Sequence, residues 1–150
     1  MKHLLIIFSF FLFSFCNISC GSSDSGSSTT TTDDTTTTNN NSTYSDNGTT
    51  FPVTVSSSKY YIDGIMTKSL TLKKGYTYFF DSTDSTTNSH PLFIGTISTG
   101  GSYNYEYTSG ITKSRTTTET LTFIVPSDSP STLYYNCGNH AAMGGTITIL

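Results

Sequence analysis

The stretch Cys137-Gly138-Asn139-His140-Ala141-Ala142-Met143 sets a thiol, an imidazole and a thioether within seven residues. Thiolate and thioether are soft donors and imidazole is borderline, so hard cations such as calcium or magnesium would be held poorly. Two imidazoles and a thiolate in a trigonal set, with a distant thioether on the axis, hold copper for single-electron transfer. Such a set needs a second histidine. Apart from His3 near the N-terminus, the chain has only His90 and His140. His90 stands in Asn88-Ser89-His90-Pro91-Leu92-Phe93, at the expected start of a strand.

Taken singly, these residues are ordinary in type. A lone Cys137 reads as a small buried hydrophobe, His140 as a surface side chain, and Met143 as a cap on the core. Their joint spacing points to a metal. Cys16 and Cys20 lie in or beside the leader, so Cys137 stands alone in the remainder and no disulfide can form within the domain.

The elements that must position these donors read as strands. Pro52–Val55 and Lys59–Asp63 are extended, with a turn at Asp63-Gly64. Ser69–Leu72 alternates and stops at Lys73-Lys74-Gly75, after which Tyr76–Phe80 is expected to return as the second arm of a hairpin. Pro91–Ile94 and Ser102–Tyr107 are weaker candidates, interrupted by Gly and Thr. Thr120–Val125 alternates cleanly, Thr132–Asn136 leads into Cys137, and Gly145–Leu150 closes the chain. Short period-two runs between turn residues indicate an antiparallel all-β sandwich or barrel. Its expected core is Leu70, Leu72, Phe79, Phe80, Leu92, Ile94, Leu121, Phe123, Val125, Leu133, Tyr135 and Ile147.

Composition excludes several functions. With a net charge of −3 and 11% charged residues, there is no basic footprint for nucleic acid. Asp81 and Asp84 flank a Ser/Thr-rich loop and Glu106 and Glu119 are isolated, so no acid–base pair is visible. No serine-nucleophile motif, phosphate loop or HExxH zinc helix occurs. An enzyme is not expected.

Upstream, Lys2 and His3 precede an apolar run, Leu4–Phe15, that is too short to span a bilayer and reads as an export signal. Asn17-Ile18-Ser19-Cys20-Gly21 resembles the lipobox of bacterial lipoproteins, with Asn17 where Leu is usual. That resemblance implies acylation at Cys20 and attachment to a membrane through lipid; the alternative is an ordinary secretory signal cleaved nearby. Residues 1–20 are thus expected to be the signal and 21–50 a disordered Ser/Thr/Asn-rich linker. The domain is expected at 51–150. Asn40, Asn41 and Asn47 each open an Asn-x-Ser/Thr sequon, of consequence only in a eukaryotic secretory pathway.

From about Val53 onward the chain resembles the cupredoxin family of blue copper proteins. The resemblance lies in Tyr135-x-Cys137-x2-His140-x2-Met143-x-Gly145, similar to the family's copper loop in its shorter, amicyanin-like spacing. Leu70–Asp81 also resembles its central hairpin. It implies a Greek-key β-sandwich and one type 1 copper ion, with His90, Cys137 and His140 as equatorial ligands and Met143 as axial ligand. One departure is Pro91: many members carry Asn there, whose N–H bonds the thiolate sulfur, and proline has none.

The resulting expectation is an exported, monomeric electron carrier of the cell envelope, periplasmic or at the cell surface, or secreted if not lipidated. It would dock transient redox partners near His140. Its rivals are a copper carrier or buffer without electron transfer, and a metal-free envelope β-domain of structural or adhesive role.

Overall fold

A computed structural model describes residues 43–150. The leader, Cys20 and the linker as far as Ser42 lie outside the described residues. Ten strands and one short 3-10 helix make up the rest: β1 (Thr50–Ser56), β2 (Lys59–Ile62), β3 (Ile65–Met66), β4 (Leu70–Leu72), β5 (Thr77–Asp81), the helix η1 (Ser85–Thr87), β6 (Leu92–Gly95), β7 (Ile111–Thr112), β8 (Thr120–Ile124), β9 (Thr132–Cys137) and β10 (Gly145–Ile149).

The strands form two sheets, in the orders β3-β2-β1-β5-β8-β7 and β4-β10-β9-β6. Alternation puts one face of each inside. Leu70, Leu72, Leu133, Tyr135 and Ile147 of one sheet face Phe51, Val53, Tyr78, Phe80, Leu121 and Phe123 of the other within a single buried cluster. Of the expected core, only Phe79 lies outside it. In β5 the buried positions are Tyr78 and Phe80, and Phe79 points away, half-buried.

Two expectations about pairing are corrected. Leu70–Leu72 and Tyr76–Phe80 do not form a hairpin, because β4 joins β10 in one sheet and β5 joins β1 and β8 in the other. Lys73-Lys74-Gly75 arches between the sheets, with Gly75 at φ +80° and its N–H bonded to Val125 O at 2.8 Å. Both apolar faces then meet across the core rather than side by side. The pairing is also mixed rather than purely antiparallel: β1–β5 and β4–β10 run parallel, since such crossings bring strands back in the same direction.

Strand direction gives the sandwich two poles. β5 and β9 run towards one of them, where His90, Cys137 and the loop before β10 gather. β4 and β10 run away from it, so Lys73–Gly75 and the chain end lie at the other, joined by Lys74 N–H to Leu150 O at 2.9 Å. Tyr44–Asn47, placed in the linker by the sequence reading, bond to this second pole. Ser45 N–H donates to Thr71 O, Tyr78 O–H to Ser45 O, and Thr77 N–H to Asn47 Oδ1, each at 2.8 Å.

β6 ends the second sheet but is not left open. Its four residues are all buried, because the segment between β6 and β8 returns over it. Tyr107 N–H donates to Ile94 O, Leu92 N–H to Thr116 O, and Arg115 N–H to Leu92 O. Ser102–Tyr107, expected as a strand, is instead part of this cover, which protects the edge from foreign pairing. Phe93 faces outward from the core and is buried beneath it, edge-on to Tyr103 at 5.1 Å.

Candidate metal centre

His90 is fixed by the turn that precedes it. Asp84 caps η1, its carboxylate accepting from Thr86 N–H at 2.9 Å. The buried Thr87 hydroxyl lies within 2.6–2.8 Å of the Ser82, Asp84 and Thr117 carbonyls. His90 N–H then donates to Thr87 O at 2.7 Å. The histidine thus leaves a pinned turn directly before β6.

Cys137 is the last residue of β9, opposite Leu92 of β6. The register continues one step further, with Gly138 N–H bonded to Pro91 O at 2.8 Å. The loop therefore starts beside His90 by strand pairing alone. Asn139 adds a side-chain bond to Ser89 O at 3.0 Å.

Beneath the loop runs the backbone of Gly100-Gly101. A Cβ at position 100 would lie 2.4 Å from Cys137 O and 2.6 Å from His140 O, and Gly101, at φ +78°, donates its N–H to Cys137 O at 2.8 Å. A side chain at 100 would therefore push the loop off its support.

Three donors converge at this pole. His90 Nδ1 and His140 Nδ1 are 3.2 Å apart, Cys137 Sγ is 3.8 Å from the first and 3.5 Å from the second. A point inside this triangle lies about 2 Å from every donor, against metal bond lengths of about 2.0–2.1 Å to nitrogen and 2.3 Å to thiolate sulfur. The exposure is graded: Cys137 is buried, His90 half-buried and His140 exposed. Burial, and then the neighbouring His140, hold the His90 imidazole below its usual pKa. Among the described residues, this is the one cluster of three or more His, Cys, Asp or Glu able to hold a metal ion.

The donor set suits copper. One thiolate and two imidazoles disfavour a hard oxygen-loving cation, and two nitrogens with one sulfur match the trigonal donor set of a copper electron-transfer site. Met143 follows three residues after His140, 1% exposed and in the same core cluster as Cys137.

The two-sheet β-sandwich, with three donors gathered at one pole, agrees with the fold that the resemblance implies. The sandwich also brings to the site residues that motif and spacing did not mark, namely Gly100-Gly101, Asn139 and Tyr60 of β2. Their contacts with the loop are backbone approaches and bonds to carbonyls, for which residue type is a poor signal. Only the paired glycines hinted at a close approach.

No family model matches the chain, and no curated protein matches it. Among solved structures, it is similar to a crystal structure of rusticyanin variants, with 15% identity, TM-score 0.46, and coverage of 71% of this chain and 80% of the other. Reduced rusticyanin gives 15%, 0.46, 71% and 83%. Rusticyanin from Thiobacillus ferrooxidans gives 16%, 0.45, 70% and 79%. At such identities and scores the likeness stands as an observation, and the reading of the centre rests on its own donor atoms.

Proposed function

We propose that the chain is an exported mononuclear blue copper protein that carries single electrons. The observation that carries this reading is the triangle of His90, Cys137 and His140, whose centre has room for one metal ion. Met143, three residues after His140, would supply a fourth donor through its thioether. Bound copper supplies one electron at a time by alternating between Cu(I) and Cu(II).

The chain's own contribution is to hold the donors still. His90 and Cys137 are locked by η1, β6 and β9, so little rearrangement accompanies a change of charge at the centre. His140 is the exposed member, and its ring edge is the shortest way out for the electron. Ala141, Ala142 and the nearby glycines give it a weakly polar surround. That suits brief docking of a redox protein through a small interface. Export follows from the leader, and lipid attachment at Cys20 would keep the protein at an envelope membrane.

Adding Cu(II) to the purified protein tests the reading: an intense thiolate-to-copper band near roughly 600 nm is expected. Its absence would leave a metal-free envelope β-domain. A band that bleaches on reduction without reversible return would instead mark a copper store.

Pro91 gives a finer prediction. Cys137 Sγ lies within 3.8 Å of both ring nitrogens, and Pro91, next to His90, has no N–H to offer it. The thiolate is correspondingly electron-rich, which favours Cu(II) and lowers the potential. Pro91→Asn is expected to raise the potential in voltammetry by some tens of millivolts, the scale of about 1 kcal/mol for one hydrogen bond. A value unchanged or lower would refute this role.

A further inference from the structure

We propose that Tyr60 is the positioning residue that ties the two ends of the donor set together, its hydroxyl fixing the backbone at His90 and its N–H fixing the backbone at Met143. The proposal rests on the copper reading above and names the residue outside the ligand set that maintains its geometry.

Tyr60 belongs to β2, in the sheet that contributes none of the four candidate ligands. Alternation along β2 turns it inward with Ile62, and its side chain is fully buried. From there its O–H donates to His90 O at 2.6 Å. Its main-chain N–H donates to Met143 O at 3.0 Å, and its carbonyl accepts from Thr67 N–H at 2.9 Å. One residue thus bonds to both ends of a ligand set whose members come from before β6 and before β10. Lys59, next to it, reinforces the second attachment through a bond from Nζ to Ala142 O.

Packing does not require the hydroxyl. The ring lies 6.3 Å from that of Tyr135, at 58°, and a phenylalanine would fill the same space. The hydroxyl is spent on a ligand's own carbonyl. Tyr135 supplies a matched control, since it too is buried and donates through its hydroxyl, but to Lys68 O at 2.9 Å rather than to the carbonyl of a candidate ligand.

The experiment compares the full-length wild type, Tyr60→Phe and Tyr135→Phe. In metal-free protein, amide exchange at His90, whose N–H is bonded to Thr87 O, is expected to quicken several-fold in Tyr60→Phe and not in Tyr135→Phe. After loading with Cu(II), Tyr60→Phe alone is expected to shift the visible band and the copper hyperfine splitting, and to release Cu(II) several-fold faster. If the two variants are indistinguishable in exchange at position 90 and in copper release, the proposal is overturned. If the wild type acquires no visible band, the copper reading falls, and the exchange measurement still decides whether Tyr60 pins residue 90.

Discussion

Cys137→Ser is expected to remove the visible band of the copper-loaded protein, lowering absorbance near 600 nm by at least roughly tenfold, while the sandwich remains folded. The band requires a thiolate sulfur, and Cys137 is the sole cysteine of the described residues. A serine oxygen neither matches copper's softness nor ionises at neutral pH, so Cu(II) would be left with two imidazoles and a weak, ordinary spectrum. The fold should survive because serine is nearly the same size. Its buried hydroxyl would find the ring nitrogens now within 3.8 Å of the sulfur, limiting the cost to about 1–2 kcal/mol. Absorbance at 600 nm and circular dichroism, measured together, check both halves. A variant that keeps the band would exclude Cys137 as the ligand.

Gly144→Ala is expected to have the largest effect on stability. A Cβ there would lie 1.6 Å from Tyr135 O and 2.7 Å from its carbonyl carbon. These are backbone atoms of β9, paired to β10 one residue further on, at Gly145–Tyr135. They cannot swing aside as the tip of a long side chain would. An alanine that fitted would stabilise slightly by restricting the unfolded chain; here the clash decides the sign. A loss of about 3 kcal/mol is expected. For a domain of this size that lowers the thermal midpoint by about 12–24 °C. A midpoint within a few degrees of the wild type would mean that β9 and β10 close less tightly than the structure shows.

The cluster of three donors was legible because its chemistry is local: Cys137 and His140 share one loop, and with so few histidines His90 had no competitor. The strand content was legible for a similar reason, since period-two burial is written directly in runs such as Leu70–Leu72 and Thr120–Ile124. Sheet membership was not. Lys73-Lys74-Gly75 carries the same turn chemistry whether the chain folds back beside itself or arches across the core, and only the long-range partners Ile147 and Leu121 distinguish the two. Phe79 and Tyr78 show the same limit. Adjacent aromatics in a strand must face opposite ways, and the register that chooses between them is fixed by β8 and β1. The part played by Tyr60 was hidden because its two key acceptors are main-chain carbonyls, which leave no trace in residue type.

The chain enters the sandwich at the pole that Tyr44, Lys73 and Leu150 share, the far end from His140. A leash fixed anywhere upstream therefore holds the domain by its back. Were the chain attached through its N-terminal region, the attachment would join the domain at the end opposite the histidine edge. Under such an attachment a freely diffusing partner would meet that edge directly, whereas one embedded in the same surface would be reached only if the domain turned over.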